Sequence, residues 1–259
     1  MPATVSRPVN HWPDSKCARA FWGQQEIPAY RQLLNDTVAW LEPSAGERWL
    51  DLGCGSGQLT RGLWTKSRGK VAEILALDCA AVNEQAIAKL RTTLEPAPTK
   101  QQMRFQPLDF SAGLPICASD YFDGVASGLA IQYAEHYSEE DGCWTTGAYD
   151  HLLAEIYRVL RRDGRLVFSV NVPEPSWRRV ALHSLSGIFR ARRPGRYLKN
   201  SFRMLRYGAW LSREARRGRF HYLPLSIIVD KLQKTGFIGI EHCLTYARQA
   251  YLVRCRKPA

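Results

Sequence analysis

Apolar residues along this chain fall into two rhythms. Short runs rich in apolar residues at Trp49 to Leu52, Val71 to Leu77, Met103 to Leu108, Tyr121 to Ser127 and Arg165 to Val172 read as strands of a largely buried parallel sheet. Between them the apolar positions recur at helical spacing. Gln24 to Leu41 carries Ile27, Leu33, Leu34, Val38 and Leu41, and Tyr149 to Arg161 carries Leu152, Leu153, Ile156, Val159 and Leu160. Further helices are predicted from near Gln58, over Ala80 to Leu90, and over Pro224 to Thr235. Asp163-Gly164 and Gly236 are expected helix stops. Phe237 to Tyr246 and Gln249 to Arg256 then read as two closing strands. Strand and helix alternate, which predicts an α/β fold.

The first strand leads into Asp51-Leu52-Gly53-Cys54-Gly55-Ser56-Gly57. Three glycines at alternate positions suit a backbone turn that a ligand can approach closely. A strand, such a turn and a helix form the nucleotide-binding unit of open α/β sheets. No Gly-Lys-Ser/Thr follows, so this is not a P-loop, and the third glycine comes one residue early for a dinucleotide fingerprint. Asp78 closes the second strand, where it can accept from two ribose hydroxyls or cap the next helix. Asp109-Phe110 ends the third, with Phe110 as a stacking ring or as core.

As an ordered set these segments resemble the class I S-adenosylmethionine-dependent methyltransferases. The loop resembles their motif I, Phe122-Asp123-Gly124-Val125 their fourth strand, and the run from Leu153 to Leu166 the post-motif of their small-molecule and quinone ("type 11") branch. The resemblance implies a Rossmann-like, seven-stranded, mostly parallel sheet with a C-terminal antiparallel hairpin and helices on both faces. It implies S-adenosyl-L-methionine as cofactor, held by Asp51, Gly53, Cys54, Gly55, Gly57, Asp78, Cys79, Asp109, Phe110 and Ser127. It also implies a substrate side formed after strand four. There His136 is a candidate base, because imidazole titrates near neutral pH, and Tyr133 is a second candidate. Gln132, Tyr137, His221 and Tyr222 lie nearby in the same reading. Ser127-Gly128-Leu129-Ala130 lacks the Asn/Asp-Pro-Pro run of amino-methylating DNA enzymes.

Charge sets one segment apart. The 259-residue chain carries a formal +12, and residues 173–222 alone hold 13 Lys and Arg against 2 acids. This stretch reads as a basic helical insert. Ala181, Leu182, Leu185, Ile188 and Phe189 share a face of one helix, with Pro194-Gly195 as its break. Tyr207, Leu211 and Ala215 join Met204 on a face of a second, opposite Arg203, Arg206, Arg213 and Arg217, with Trp210 among the arginines. Three roles fit residues 178–219: a solvated lid, a contact with an anionic membrane surface, or contact with RNA. The expected organisation is an N-terminal arm at 1–23, loose over Met1 to Pro13, a cofactor-binding core with cap helix at 24–172, the insert at 173–222, and a helix and hairpin completing the core at 223–259. The N-terminus lacks a secretory h-region and no apolar run is long enough to span a bilayer. Seven scattered cysteines without a C-x-x-C pair suggest free thiols, no zinc site and a reducing compartment. The expectation is a cytoplasmic methyltransferase of a small or lipid-like metabolite, peripheral on the inner membrane face. An RNA methyltransferase and an inactive cofactor-binding partner are the alternatives, and oligomeric state stays open.

Overall fold

Seven strands in the order β3-β2-β1-β4-β7-β9-β8 form the central sheet of the computed structural model, which describes residues 12–184 and 194–259. They are β1 (Arg48–Leu52), β2 (Glu73–Asp78), β3 (Met103–Pro107), β4 (Phe122–Gly128), β7 (Leu160–Asn171), β8 (Ile238–Thr245) and β9 (Ala250–Arg256). β1 to β4 and β7 run parallel, and β9 inserts antiparallel between β7 and β8. A small ribbon, β5 (Tyr137–Ser138) with β6 (Cys143–Trp144), stands apart. The helices are α1 (Ser15–Phe21), α2 (Pro28–Leu41), α3 (Gln58–Lys66), α4 (Glu84–Thr93), α5 (Gly147–Val159), α6 (Trp177–Ser184), α7 (Pro194–Arg216) and α8 (Leu225–Thr235).

The core lies on both faces of this sheet. Leu50, Leu52 and Phe168 pack toward α5 and α8, whereas Trp49, Ile74 and Val167 pack toward α3 and α2. Strand side chains alternate between faces, so one strand feeds both layers. Strand order reverses between β1 and β4, and their carboxyl ends open a crevice there.

Several boundaries differ from the sequence expectation for local reasons. Gln24 to Leu41 is not one helix, because Ile27 is extended and Pro28 opens α2. Proline disfavours helical backbone in the residue before it. Asp163-Gly164 does not end α5. The helix stops at Val159, and Leu160 pairs with Phe122 while the β4–β7 register shifts. Asp163 then takes a left-handed φ of 59° in the bend that follows. Pro194-Gly195 falls at the near end of the second insert helix. It opens α7, where proline's fixed φ suits the first turn. Leu185, Ile188 and Phe189 lie outside the described residues. In α6 the buried residues are Val180 and Ser184, and Leu182 faces outward at 66% exposure.

The insert folds back onto the core. Val180 joins Ala29, Leu33, Tyr246 and Ala250 in a satellite cluster between α2, α6 and β9. Trp177 Nε1 donates to Ser212 Oγ at 2.7 Å, tying α6 to α7. Gly208 permits this approach, since a Cβ there would sit 2.6 Å from the Trp177 ring. Just past α7, Arg219 is buried and pairs with Glu135 at 2.9 Å and Glu214 at 3.4 Å. Within the N-terminal arm, residues 15–21 form α1. Trp22 Nε1 fixes α1 to Asn83 Oδ1 at 2.8 Å.

Candidate functional site

A cleft enclosing about 1180 Å³, its open mouth included, lies over the carboxyl ends of β1, β2 and β4. Its floor at one end is Gly53 to Ser56 with Asp78, Cys79, Asp109 and Phe110. Its other end is walled by Trp12, Phe21, Tyr133 and Tyr246, and roofed by Trp177, Gly208 and Leu211 of the insert.

The three glycines of the loop serve different ends. A Cβ on Gly53 would overlap that of Ala130, and one on Gly57 would lie 2.6 Å from Ile87 and Leu90. Both positions permit protein packing, and Gly57 does not line the cleft. Gly55, at φ +52°, faces open space inside the cleft, where a ligand can lie against bare main chain. The loop is held from two sides. Asp78 Oδ2 accepts from the Gly55 amide and Oδ1 from the Ala80 amide, both at 2.9 Å. Asp51 Oδ2 accepts from the Thr60 amide at 2.8 Å and the Thr60 hydroxyl at 2.6 Å, which anchors the first turn of α3.

Asp51 lies under the loop rather than on the cleft wall, and its Oδ1 is buried without a hydrogen-bond partner. Burial above all pushes its carboxyl up to about 6, with the Asp78 charge adding and the Thr60 bonds opposing. Burial also raises Asp78. Two buried carboxylates beside a bare glycine cradle suit a cationic, hydroxylated ligand. Asp78 also accepts from the Asn83 side chain and, weakly, from the Cys79 thiol at 3.9 Å. The Cys54 and Cys79 thiols are pushed up, chiefly by burial and then by Asp78. They remain protonated and act as small packing groups. Asp109 Oδ1 accepts from the Ser111 amide at 2.9 Å. Phe110 both lines the cleft and belongs to the core.

Other sequence candidates fall elsewhere. Ser127 is fully buried, and its hydroxyl donates to the Leu52 carbonyl at 2.8 Å, a strand-to-strand brace away from the cleft. His136 is exposed outside the cleft, its Nδ1 2.6 Å from Thr145 Oγ1, so the geometry does not support it as a base. His221 Nε2 lies 2.9 Å from the Ala134 carbonyl, and burial lowers its pKa, so the ring stays neutral and donates that bond. Tyr133 does line the cleft, and burial pushes its phenol up to about 12. It is a proton donor at neutral pH, not a base. Sequence reasoning missed Asn171, Trp12, Phe21, Trp177 and Tyr246 as cleft residues. Asn171 had a usable signal, being the polar residue that ends the fifth parallel strand at the sheet's carboxyl edge. Among the described residues no three His, Cys, Asp or Glu side chains are grouped to hold a metal ion, and no helix is long and apolar enough to cross a membrane.

Residues 50–168 match a family model described as a methyltransferase domain. No curated protein sequence matches the chain. In fold it is similar to a chain from the Haloferax volcanii complex between the Trm112 methyltransferase activator and a methyltransferase, at 16% identity and TM-score 0.61, covering 96% of this chain and 98% of that one. It is similar to an S-adenosylmethionine-dependent methyltransferase from Mesorhizobium loti at 21% identity and TM-score 0.53, over 86% of this chain and 96% of that one. The Haemonchus contortus phosphoethanolamine N-methyltransferase 2, solved with S-adenosyl-L-methionine, aligns at 17% identity and TM-score 0.54, over 87% of this chain and 53% of that one. Residues 50–168 are thus a methyltransferase domain, and the chain around them has the fold of S-adenosylmethionine-dependent methyltransferases.

Proposed function

We propose that the protein methylates a small, neutral, largely apolar metabolite, taken up under a basic roof that rests on an anionic membrane surface. The observation that carries this reading is the division of the cleft. Acids and bare loop backbone occupy one end, and aromatic rings and Leu211 the other, and no Lys, Arg or His is among the described lining residues. An anionic substrate would find no counter-charge there, and burying an unpaired charge is costly. When bound, the cofactor supplies an electrophilic methyl on its sulfonium. In this reading Asp51, Gly55, Asp78 and Asp109 hold the cofactor end, and the aromatic walls orient the acceptor and exclude water.

The outer face of the insert supports the membrane half of the proposal. Arg178, Arg179, Arg206, Arg213 and Arg216 are exposed, together with Leu182 and Phe202, the latter at 64%. Basic residues with protruding apolar side chains suit an anionic bilayer, where each Lys or Arg adds about 1 kcal/mol. A lipophilic substrate would then enter directly from the leaflet, on the inner membrane face. Contact with RNA is less well supported. Trp210 packs on Tyr207 and Phe220, and Tyr207 on Phe21, so these rings are engaged within the protein.

Two measurements test the proposal. Calorimetry with S-adenosylhomocysteine, followed by methyl-transfer assays over neutral and anionic acceptor panels, should show cofactor binding and turnover of neutral acceptors only. Co-sedimentation with phosphatidylserine vesicles should be lost in R206E/R213E/R216E, with cofactor affinity retained. Turnover confined to anionic acceptors refutes the substrate class, and vesicle binding that survives the triple reversal refutes the docking face.

A further inference from the structure

The apolar end of the cleft holds one polar cluster, and its hydrogen bonds do not balance. Tyr133 Oη and Tyr222 Oη lie 3.1 Å apart. The Gln132 and Asn171 side chains stand beside Tyr133, and Asn171 beside Tyr222. The Asn171 backbone amide donates to Gln132 Oε1 at 2.6 Å, and the His221 backbone amide to the Gln132 carbonyl at 2.8 Å. These contacts set the four side chains against one another. Yet one proton suffices between the two hydroxyls, which leaves the other hydroxyl proton to spare. Asn171 Oδ1 is buried without a partner. Tyr133 and Asn171 both line the cleft, whereas Gln132 and Tyr222 stand behind them. Native buried polar atoms are seldom left unsatisfied, so a surplus donor beside a surplus acceptor on a ligand wall calls for an explanation.

We propose that Asn171 and Tyr133 form the anchoring subsite for the substrate, an apolar ring-bearing molecule held by one hydroxyl that donates to Asn171 Oδ1 and accepts from Tyr133 Oη. A hydroxyl both donates and accepts, which matches the two unspent groups. A ketone only accepts, and a carboxylate would bring a charge that no cation among the described lining residues balances. The walls suit a ring, with Trp12 4.6 Å from Tyr133 by ring centroids and Phe21, Trp177 and Tyr246 around them. Both residues are positioning residues: they hold the substrate and take no proton from it. The inference rests on the proposed methyltransferase reading only in assigning the opposite end of the cleft to the cofactor.

The test uses 2-naphthol and 2-methylnaphthalene, which share ring and size and differ in the hydroxyl. Equilibrium dialysis against protein saturated with S-adenosylhomocysteine should show naphthol bound about tenfold tighter or more, since a site built for a hydroxyl rejects the analogue lacking it. Asn171→Leu and Tyr133→Phe should each weaken naphthol about tenfold and leave methylnaphthalene within about twofold. Tyr133→Phe is nearly isosteric, so it reads the subsite even if Asn171→Leu disturbs the strand end. Equal binding of the two probes, binding of neither, or parallel loss of both in Tyr133→Phe would overturn the proposal. Failure of S-adenosylhomocysteine to bind is read separately by calorimetry. It would sink the methyltransferase reading, while the same probes dialysed against ligand-free protein still report on the subsite.

Discussion

Asp51 offers the sharpest test of how the cofactor end works. Its carboxyl is held at about 6 by burial, against the 3.8 of an ordinary aspartate. The sign follows directly. A raised folded-state value means that the fold prefers the protonated form. That preference stabilises the protein fully below the unfolded value and is lost as pH rises through about 6. A shift of about two units corresponds to about 3 kcal/mol. A cation brought near Oδ1 favours the carboxylate, so binding should release a proton and strengthen with pH through the same range. If only the ionised form binds, about one molecule in eleven is competent at pH 5, half at pH 6, and nearly all at pH 8. The affinity for S-adenosylhomocysteine, whose ammonium supplies the cation, should therefore fall about tenfold between pH 8 and pH 5. Calorimetry at pH 6 in two buffers of different ionisation enthalpy should show about half a proton released per site. Asp78 is shifted in the same direction, so the variant Asp51→Asn separates the two. It should remove the inflection near pH 6, bind more weakly at pH 8, and leave the ligand-free protein at least as heat-stable there as the parent. A flat affinity across pH 5 to 8 in the parent, or an inflection that persists in Asp51→Asn, refutes the reasoning.

Three further perturbations probe the loop and the roof. Gly55→Val fills the open cradle and strains a left-handed backbone position. It should weaken S-adenosylhomocysteine at least about tenfold by calorimetry, while overpacking and strain lower stability by about 1–3 kcal/mol in urea unfolding. Gly208→Leu drives a side chain into the Trp177 ring. Trp177 should lose its bond to Ser212, with a shift in tryptophan emission and a KM raised more than kcat is lowered, because the roof positions substrate rather than cofactor. Arg219→Met strands Glu135, only about one-tenth exposed, while Glu214 keeps its 3.0 Å pair with Arg217. Removing one member of a buried ion-pair group costs about 3–5 kcal/mol. Limited proteolysis should then cut near residue 217 faster than in the parent, and unchanged cleavage would show that the pin is not holding α7.

How far the sequence foretold this arrangement depends on the range of the forces involved. The sheet was legible because its signals are local. Runs such as Ile74 to Leu77, buried on both faces, leave no other element for a chain to form. Asp78 and the three glycines were legible because turn chemistry constrains residue type at fixed spacing. What each glycine touches was not, since the partners of Gly53 and Gly57 are Ala130, Ile87 and Leu90, brought in by other strand ends. Ser127 and His136 were assigned by position after strand four, but position along the chain does not say which way a side chain turns. Ser127 turns into the sheet toward Leu52, and His136 stands at the base of a two-stranded ribbon that no periodicity announced. The insert shows the limit most clearly. Amphipathic spacing gave Leu211 an inward face and Arg213 an outward one, as found. It also put Leu182 inward and Trp210 outward, and both assignments are reversed by contacts the spacing cannot contain. α6 turns Val180 and Trp177 toward α2 and α7 instead of Leu182, and Phe220, ten residues beyond Trp210 and past the end of α7, draws that ring under the roof. An exposed leucine on a basic helix is thus a product of how α6 is docked. That docking is why the apolar and cationic groups of the insert share an outer face, while the cleft beneath is lined without a single described cation.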